Sequence, residues 1–274
     1  MRGSLVRRWA EGRVENSEPA TLWSRRTCAM TTGVILQPSY IPWRGFFDLI
    51  HDADTFVFYD DVQYDKHGWR NRNRIKTAQG SQWLTIPVNA KGSVSDGTLL
   101  KDARIAWTQD WSKKHLATIR QSYGKAPFFK QFFPLVESFY AVRRELLVDL
   151  TIESTIALAR ALGIEHTRFV RSSDLGVDGG KTERLVRIMQ HVGATRYISG
   201  PAARDYIEPD VFARAGVALE YKLYDYPEYE QLHPPYDPQV TILDLLFMRG
   251  PEASALIWGN RGHRASGHVE AGPK

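Results

Sequence analysis

Residues 34–75 read VILQPSYIPWRGFFDLIHDADTFVFYDDVQYDKHGWRNRNRI, and this alternation of apolar and polar blocks decides the fold class. The apolar run Val34-Ile35-Leu36 meets Gln37-Pro38. Proline lacks the N–H that a strand ladder needs and holds its predecessor extended, so a strand is expected to stop there. A turn-rich aromatic loop follows, Tyr40-Ile41-Pro42-Trp43-Arg44-Gly45. Phe46, Phe47, Leu49 and Ile50 then mark a short helix, and residues 55–59 a second buried strand. Beyond that strand come Asp60, Asp61, Gln63 and Tyr64, then the run Arg70-Asn71-Arg72-Asn73-Arg74. Polar residues just past strand ends are where an open α/β sheet builds a ligand site, so the function is expected here.

Working outward, the pattern predicts further strands. Residues 83–88 form one, closed by Pro87, and Ile105 with Trp107 fits a short one. A Gly/Ser/Asp loop over 90–97 has the composition of a mobile lid. A helix is expected from Asp110, as an acidic N-cap, to Gly124. Pro127 and Pro134 punctuate a Phe-rich link, and apolar spacings of three and four make 135–162 the longest helical region, with a break at Asp149-Leu150-Thr151. After Gly163 the chain alternates strands at 167–170, 195–198 and 217–221 with helices between them. Such spacing implies crossovers and a parallel sheet. Thr241 and Asp244 resemble a capping box, with Asp for the usual Glu. The expectation is therefore an α/β, Rossmann-like, mostly parallel sheet flanked by helices, with a helical insertion at about 110–163. The single domain is expected over 31–258. Residues 1–30 are expected to be a disordered leader or to lie upstream of a start at Met30, and 259–274 a disordered tail.

The 274 residues can bury a sizeable core, and 43% hydrophobic with 24% charged residues is ordinary for a globular protein. The net charge of +5 is partly an end effect. Residues 1–26 hold Arg2, Arg7, Arg8, Arg13, Arg25 and Arg26 against Glu11, Glu15 and Glu18. With no basic helical stripe, a nucleic-acid partner is not expected. The single cysteine, Cys28, excludes an internal disulfide framework and a multi-Cys metal site. No apolar run has the length of a membrane span and no apolar h-region follows the early arginines, so a cytoplasmic location is expected.

Several constellations carry possible chemistry. Arg70, Arg72 and Arg74 would share one face of an extended segment, and guanidinium forks match phosphate or carboxylate oxygens. Asp60 and Asp61 either meet a metal or ligand hydroxyls at the strand end or simply form a turn, and since strand neighbours face opposite ways at most one need point into a crevice. Ser172-Ser173-Asp174 follows a strand, and Gly179-Gly180-Lys181-Thr182 opens a helix, either as an anion-binding turn or as a Gly-rich turn with Thr182 as N-cap. A Walker A match fails because Leu175 stands where Gly is needed. The eight histidines show no metal spacing, so no metal site is expected, and no GxSxG elbow is present. The loop 224–231 holds Tyr224, Tyr226 and Tyr229, which suit stacking on a sugar or nucleobase.

Taken together, QPSYIPWRGFFDLI, DDVQY, WRNRNRIKT, LTIPV, RSSDL, YISG, YPEYEQL and ILDLLF, over residues 34–257, resemble the WbqC-like family of bacteria. The resemblance implies an association with O-antigen and other surface polysaccharides, and a transferase forming an amide on an amino sugar, a glycyl amide being the form suggested. The family pattern falls on Gln37, Pro38, Tyr40, Pro42, Trp43 and Gly45, on Asp61, Gln63, Arg70, Asn71 and Asn73, and on Ser172, Ser173 and Asp174. Its last matches are Ser199 with Gly200, and Tyr229 with Gln231. Phe46-Phe47 departs from the family's usual YF and removes a hydroxyl. On this reading Asp61, Arg70 and Asn71 are catalytic, Asp61 as general base. The substrate-binding set is Gln37, Tyr40, Trp43, Gln63, Arg72, Asn73, Ser172, Ser173, Asp174, Ser199, Gly200, Tyr229 and Gln231. The partner expected is a small molecule, a nucleotide-linked amino sugar or a relative of it. The layout is also similar to nucleotide-binding synthetases of the pantothenate-synthetase type, but Pro42-Trp43-Arg44-Gly45 stands where their signature histidines would be. A non-catalytic nucleotide-sugar or carrier-binding protein and an ATP-dependent amide ligase are the alternatives. The sequence specifies neither a cofactor nor an oligomeric state.

Overall fold

The structure, a computed structural model, describes residues 30–65, 68–89, 97–259 and 261. The sheet begins with β1 (Thr32–Leu36), crosses through α1 (Arg44–Asp52) and returns as β2 (Thr55–Phe58). An antiparallel hairpin follows, β3 (Arg72–Thr77) with β4 (Gly80–Thr85), then α2 (Trp111–Tyr123), α3 (Phe129–Ala141) and α4 (Leu147–Ala161). The chain re-enters the sheet as β5 (Arg168–Arg171), and α5 (Lys181–His191), β6 (Arg196–Ser199), α6 (Pro209–Arg214) and β7 (Ala218–Tyr221) complete it. A last helix, α7 (Ile242–Arg249), packs back on the inserted helices.

All pairings in the five-stranded sheet are parallel, in the order β5-β2-β1-β6-β7. Sequence therefore runs outward in both directions from β1, the mark of a doubly wound, Rossmann-like sheet. Alternation along each strand divides the core. Val34, Phe56, Phe58 and Ile198 face a cluster containing α1, α2, α3, α4 and α7. Ile35, Val57 and Tyr197 face a smaller one built on α5 and α6. Gly33 lets α5 come close to β1, since a Cβ there would lie 2.3 Å from Met189 Sδ.

Three local expectations are corrected. The helical region 135–162 is two helices, broken at 142–146 instead of 149–151. The broken segment is extended because its backbone pairs elsewhere: Ile105 N–H donates to Glu145 O at 2.8 Å and Leu147 N–H to Ala103 O at 2.8 Å. Asp149 stays helical in the first turn of α4, where a carboxylate is favoured by the helix dipole. Pro134 does not end a link but lies within α3. Ile105 makes only an isolated bridge to Val88, not a strand. The hairpin β3–β4 extends the insertion upstream of the helices. The expected leader before Met30, nearly all of the tail after 259 and most of the lid loop 90–97 lie outside the described residues. Among the described residues no helix is long and apolar enough to cross a membrane.

Candidate functional site

The order of strands reverses between β1 and β6, which pair in parallel from Thr32 and Gly33. Beyond the carboxyl ends of two such strands the following loops diverge to opposite faces and leave a crevice. A cleft of about 1460 Å³ opens there. Its floor is the end of β1 with Gln37 and Ser39, and Trp43, Arg44, Tyr224, Tyr226 and Tyr236 form one wall. Tyr59, Tyr197, Tyr206 and Lys181 form the other, and Arg70, Trp69 and Asn73 close the side next to the hairpin.

The loop after β1 is held from below. Tyr40 turns away from the cleft and is 1% exposed. Its hydroxyl bonds His115 Nδ1 at 2.8 Å and also meets the Tyr140 hydroxyl. Ile41 has a backbone φ of +39°, a conformation that costs a β-branched residue about 1–3 kcal/mol. Asn73 holds it there, its amide donating to Tyr40 O at 3.1 Å and Ile41 O at 2.8 Å while its Oδ1 accepts from Arg74 N–H at 2.8 Å. Asn73→Ala would leave these buried groups without partners, and we expect it to lower unfolding stability by about 2–4 kcal/mol. Urea denaturation measures this, and a loss below about 1 kcal/mol would contradict it. At the start of α1, a Cβ on Gly45 would lie 2.4 Å from the Trp43 ring. Glycine there lets the indole fold back and meet Tyr224 edge-on, with centroids 4.9 Å apart.

The charges are unevenly compensated. Arg70 donates from NH1 to Ser39 Oγ at 2.7 Å, but its Nε is buried with no hydrogen-bond partner among the described residues. Burial pushes its pKa down to about 10, with Asp65 acting the other way, so it remains a cation at neutral pH. Neither Arg70 nor Arg44 is ion-paired with a carboxylate among the described residues. Arg44 is instead spent on structure. It donates to Pro227 O at 2.9 Å and to the Tyr236 hydroxyl at 2.6 Å, and it stacks 4.6 Å from the centre of the Tyr226 ring. Tyr226 in turn donates to Asp48 Oδ2 at 2.8 Å. Burial, and then the charge of Asp48, raise the pKa of Tyr224 and Tyr226, so both are neutral phenols. Asp205, Glu208 and Glu228 are exposed at the edge of the cleft. The arrangement thus offers a half-buried guanidinium whose Nε has no partner among the described residues, aromatic walls and an acidic rim. None of the lining residues is His or Cys.

Of the residues predicted from sequence, Gln37, Trp43, Arg70 and Asn73 line the cleft. The rest lie elsewhere. Asp61 accepts from Ser172 Oγ at 2.5 Å and is ion-paired with Arg184. Asn71 is 6% exposed and donates to Ile86 O at 2.8 Å, behind the hairpin. Arg72 shares a face with Arg74, as the alternation predicts, but that face is the outer one, where Arg72 stacks 4.6 Å from the Trp83 ring centre. Arg70 lies before the strand and turns inward instead. Gln63 is exposed and bridges to Leu99.

The Ser172-Ser173 turn does bind an anion, and the anion is the protein's own. Asp60, 0% exposed, accepts from Ser173 N–H at 3.0 Å, Ser173 Oγ at 2.9 Å and Arg171 Nε at 2.7 Å. Asp174 is exposed beside this turn. Thr182 is not the N-cap of α5; Gly180 is, and Thr182 Oγ1 accepts from Glu208 N–H at 3.2 Å. Ser199 is 3% exposed and accepts from the Tyr197 hydroxyl at 3.3 Å, and Gly200 follows it next to Tyr224. Tyr229 donates to the buried Asp244 at 2.8 Å, and Gln231 donates to Asp237 O at 2.9 Å. Asp244 therefore serves tyrosines and not a capping box, and Thr241 alone caps α7 by accepting from Leu243 N–H at 3.2 Å. Lining residues that sequence reasoning did not choose include Ser39, Arg44, Tyr59, Tyr197, Tyr206 and Tyr236, while Lys181 comes from the Gly-rich turn that it weighed as an anion site. Tyr224 and Tyr226 stood in the loop it singled out, but their neighbours Tyr229 and Gln231 were chosen.

Comparison with known proteins adds a family. The model of the WbqC-like protein family matches residues 37–256. An uncharacterized protein of Mycobacterium tuberculosis (strain ATCC 25618 / H37Rv), Rv1507c, is 42% identical over 221 residues, covering 80% of this chain and 94% of that protein. No solved structure matches.

Proposed function

Because the chain belongs to the WbqC-like protein family, we propose that it is a transferase of surface-polysaccharide (O-antigen) precursor synthesis, forming an amide on an amino sugar held in the switch-point cleft. The observation that carries this reading is the polarity of the cleft, a half-buried Arg70 with no ion-pair partner among the described residues on one side and the carboxylates Asp205, Glu208 and Glu228 on the rim. A nucleotide-linked amino sugar is anionic at its phosphates and cationic at its amine, and so complements both. At about 1460 Å³ the cleft is also larger than the roughly 300–1,000 Å³ of a single-ligand pocket, which leaves room for an acyl donor.

In this reading the sugar ammonium first gives a proton to a rim carboxylate, with Glu228 next to the Tyr226 wall as the base, and the neutral amine then attacks the carbonyl carbon of an activated acyl donor. The carbon–nitrogen bond forms, the bond to the leaving group breaks, and the leaving group departs with the second amine proton. Asp61 is held by Arg184 and Ser172 and serves as a positioning residue. Ser39, the hydroxyl on the floor, is engaged by Arg70 and has no adjacent base among the described residues, which favours direct attack over an acyl-enzyme. The same lack of an activated nucleophile supports a second reading, a binding protein for such sugars that performs no transfer.

A thermal-shift panel of nucleotide-sugars, amino acids and ATP tests the site. A ligand at one hundred times its Kd adds about 2.7 kcal/mol to the folded state. We expect nucleotide-linked amino sugars to raise the melting temperature most. Mass spectrometry after incubation with an activated glycine should then show a heavier sugar. Binding without any mass gain across acyl donors would favour the binding protein, and no shift with any nucleotide-sugar would contradict both readings.

A further inference from the structure

The β3–β4 hairpin and the loop before it carry an aromatic pair, Trp69 and Trp83, of which only Trp69 borders the cleft. Trp69 and Trp83 are each 43% exposed, with ring centroids 5.2 Å apart. The Arg72 guanidinium lies 4.6 Å from the centre of the Trp83 ring, and Arg74 lies 5.7 Å from Trp83 and 5.9 Å from Trp69. Two features join this surface to the cleft. Trp69 lines the cleft and is the chain neighbour of Arg70. Gln239, also a lining residue, accepts from Arg74 NH2 at 2.7 Å through its Oε1.

We propose that Trp69 and Trp83 form a stacking platform for the nucleobase of a nucleoside diphosphate whose phosphates are held by Arg70. This rests on the reading of the cleft as a nucleotide-sugar site and places the base at its mouth, on the hairpin, with the sugar inside. The physical case has three parts. Indole faces are sequence-tolerant platforms for bases, and guanidiniums stacked on them add a cation beside the electron-rich ring. Arg72 and Arg74 give the platform positive charge that suits an anionic ligand and would repel a cationic one. A membrane contact fits less well, because the indoles lie against cations and their β4 neighbours Ser81, Gln82 and Thr85 are exposed and polar, so no continuous apolar patch surrounds them.

Calorimetric titration of the full chain with UDP, GDP, CDP, ADP and inorganic pyrophosphate tests the placement. The best nucleoside diphosphate should bind about 5- to 150-fold tighter than pyrophosphate, the worth of one stacked base. Trp83→Ala, at an exposed position outside the cleft, should shrink that advantage to within about threefold while leaving pyrophosphate affinity unchanged; Trp69→Ala should shrink it likewise, and Trp83→Phe should retain most of it. Arg70→Met should weaken all of these ligands. An advantage that persists in both tryptophan variants would overturn the platform and leave the cleft reading standing. No binding of any nucleoside diphosphate or of pyrophosphate would overturn both. A blue shift of tryptophan emission with phosphatidylglycerol vesicles, lost in Trp83→Ala and accompanied by no nucleoside advantage, would reassign the surface to a membrane.

Discussion

Asp60→Ala is expected to lower unfolding stability by about 3–5 kcal/mol, the cost of breaking a buried, fully engaged ionic group. The carboxylate is 0% exposed, ion-paired with Arg171 at 2.7 Å, and bonded to Ser173 N–H and to the hydroxyls of Ser172 and Ser173. Its own N–H donates to Ser172 Oγ at 3.1 Å. These bonds join the end of β2 to the end of β5, strands that pair from Thr55 with Arg168 to Phe58 with Arg171. Removing the carboxylate takes the acceptor from the Ser173 N–H and hydroxyl and leaves the half-buried Arg171 with Asp149 alone, at 3.2 Å, while the Ser172 hydroxyl keeps Asp61. For a domain of this size the melting temperature should fall by roughly 6–20 °C, which a calorimetric scan resolves. Asp61, partly exposed and held by Arg184 and Ser172, should cost less when truncated. A loss below about 1 kcal/mol for Asp60→Ala would show that this network does not hold the sheet edge.

Arg70→Met should act in the opposite sense on stability while removing the ligand. The arginine has a buried Nε with no hydrogen-bond partner and is in no ion pair among the described residues, although the charge of Asp65 reaches it. Its folded pKa, pushed down by burial to about 10, lies below the ordinary value of 12.5. A base with a depressed pKa penalises the folded state wherever it is charged. The penalty is therefore complete below about pH 10 and is relieved only between there and the unfolded value. At neutral pH, methionine removes that penalty and keeps the apolar stem, so the ligand-free protein should be equally stable or more stable. Anion binding should weaken by roughly 30-fold or more, the usual effect of truncating one member of a buried charge pair. Arg70→Lys keeps the charge without the fork and should fall between the two. A variant that loses stability and keeps its ligand would reverse this assignment.

The order of the chain was more legible than the direction of its side chains. Blocks of Val, Ile and Phe ending in Pro38 or Asp60 mark strands because the pattern depends on neighbours in sequence, and the strand β1, helix α1 and strand β2 all follow from it. The cleft borders the end of β1, one of the two strand ends where a ligand site was expected, but its other border at β6 depends on a strand order that the sequence left open. Which residues face it did not follow. Asp60 and Asp61 are equivalent in sequence, and only the pairing of β2 with β5 decides that Asp60 is consumed by Ser172 and Ser173. The Arg–Asn alternation gives the right parity within β3, yet Arg70 precedes the strand, so its face is set by the loop and not by the pleat. Nothing local marks Arg44 within the turn-rich loop, because its partners, Pro227 O and Tyr236, lie 183 and 192 residues away. The break at 142–146 was hidden for the same reason, since its cause is a bridge to residues 103–105 and not a local breaker.

The account stands on Arg70 as an open cationic seat in the switch-point cleft. Arginine Nε–H resonances in a ¹⁵N-labelled sample, with Arg70→Lys as the assignment control, observe that group directly while pyrophosphate or a nucleotide-linked amino sugar is added. The account predicts that the Arg70 Nε–H signal shifts saturably, over the same concentrations that raise the melting temperature. A melting temperature that rises while the Arg70 signal stays fixed and only exposed arginines respond would contradict it.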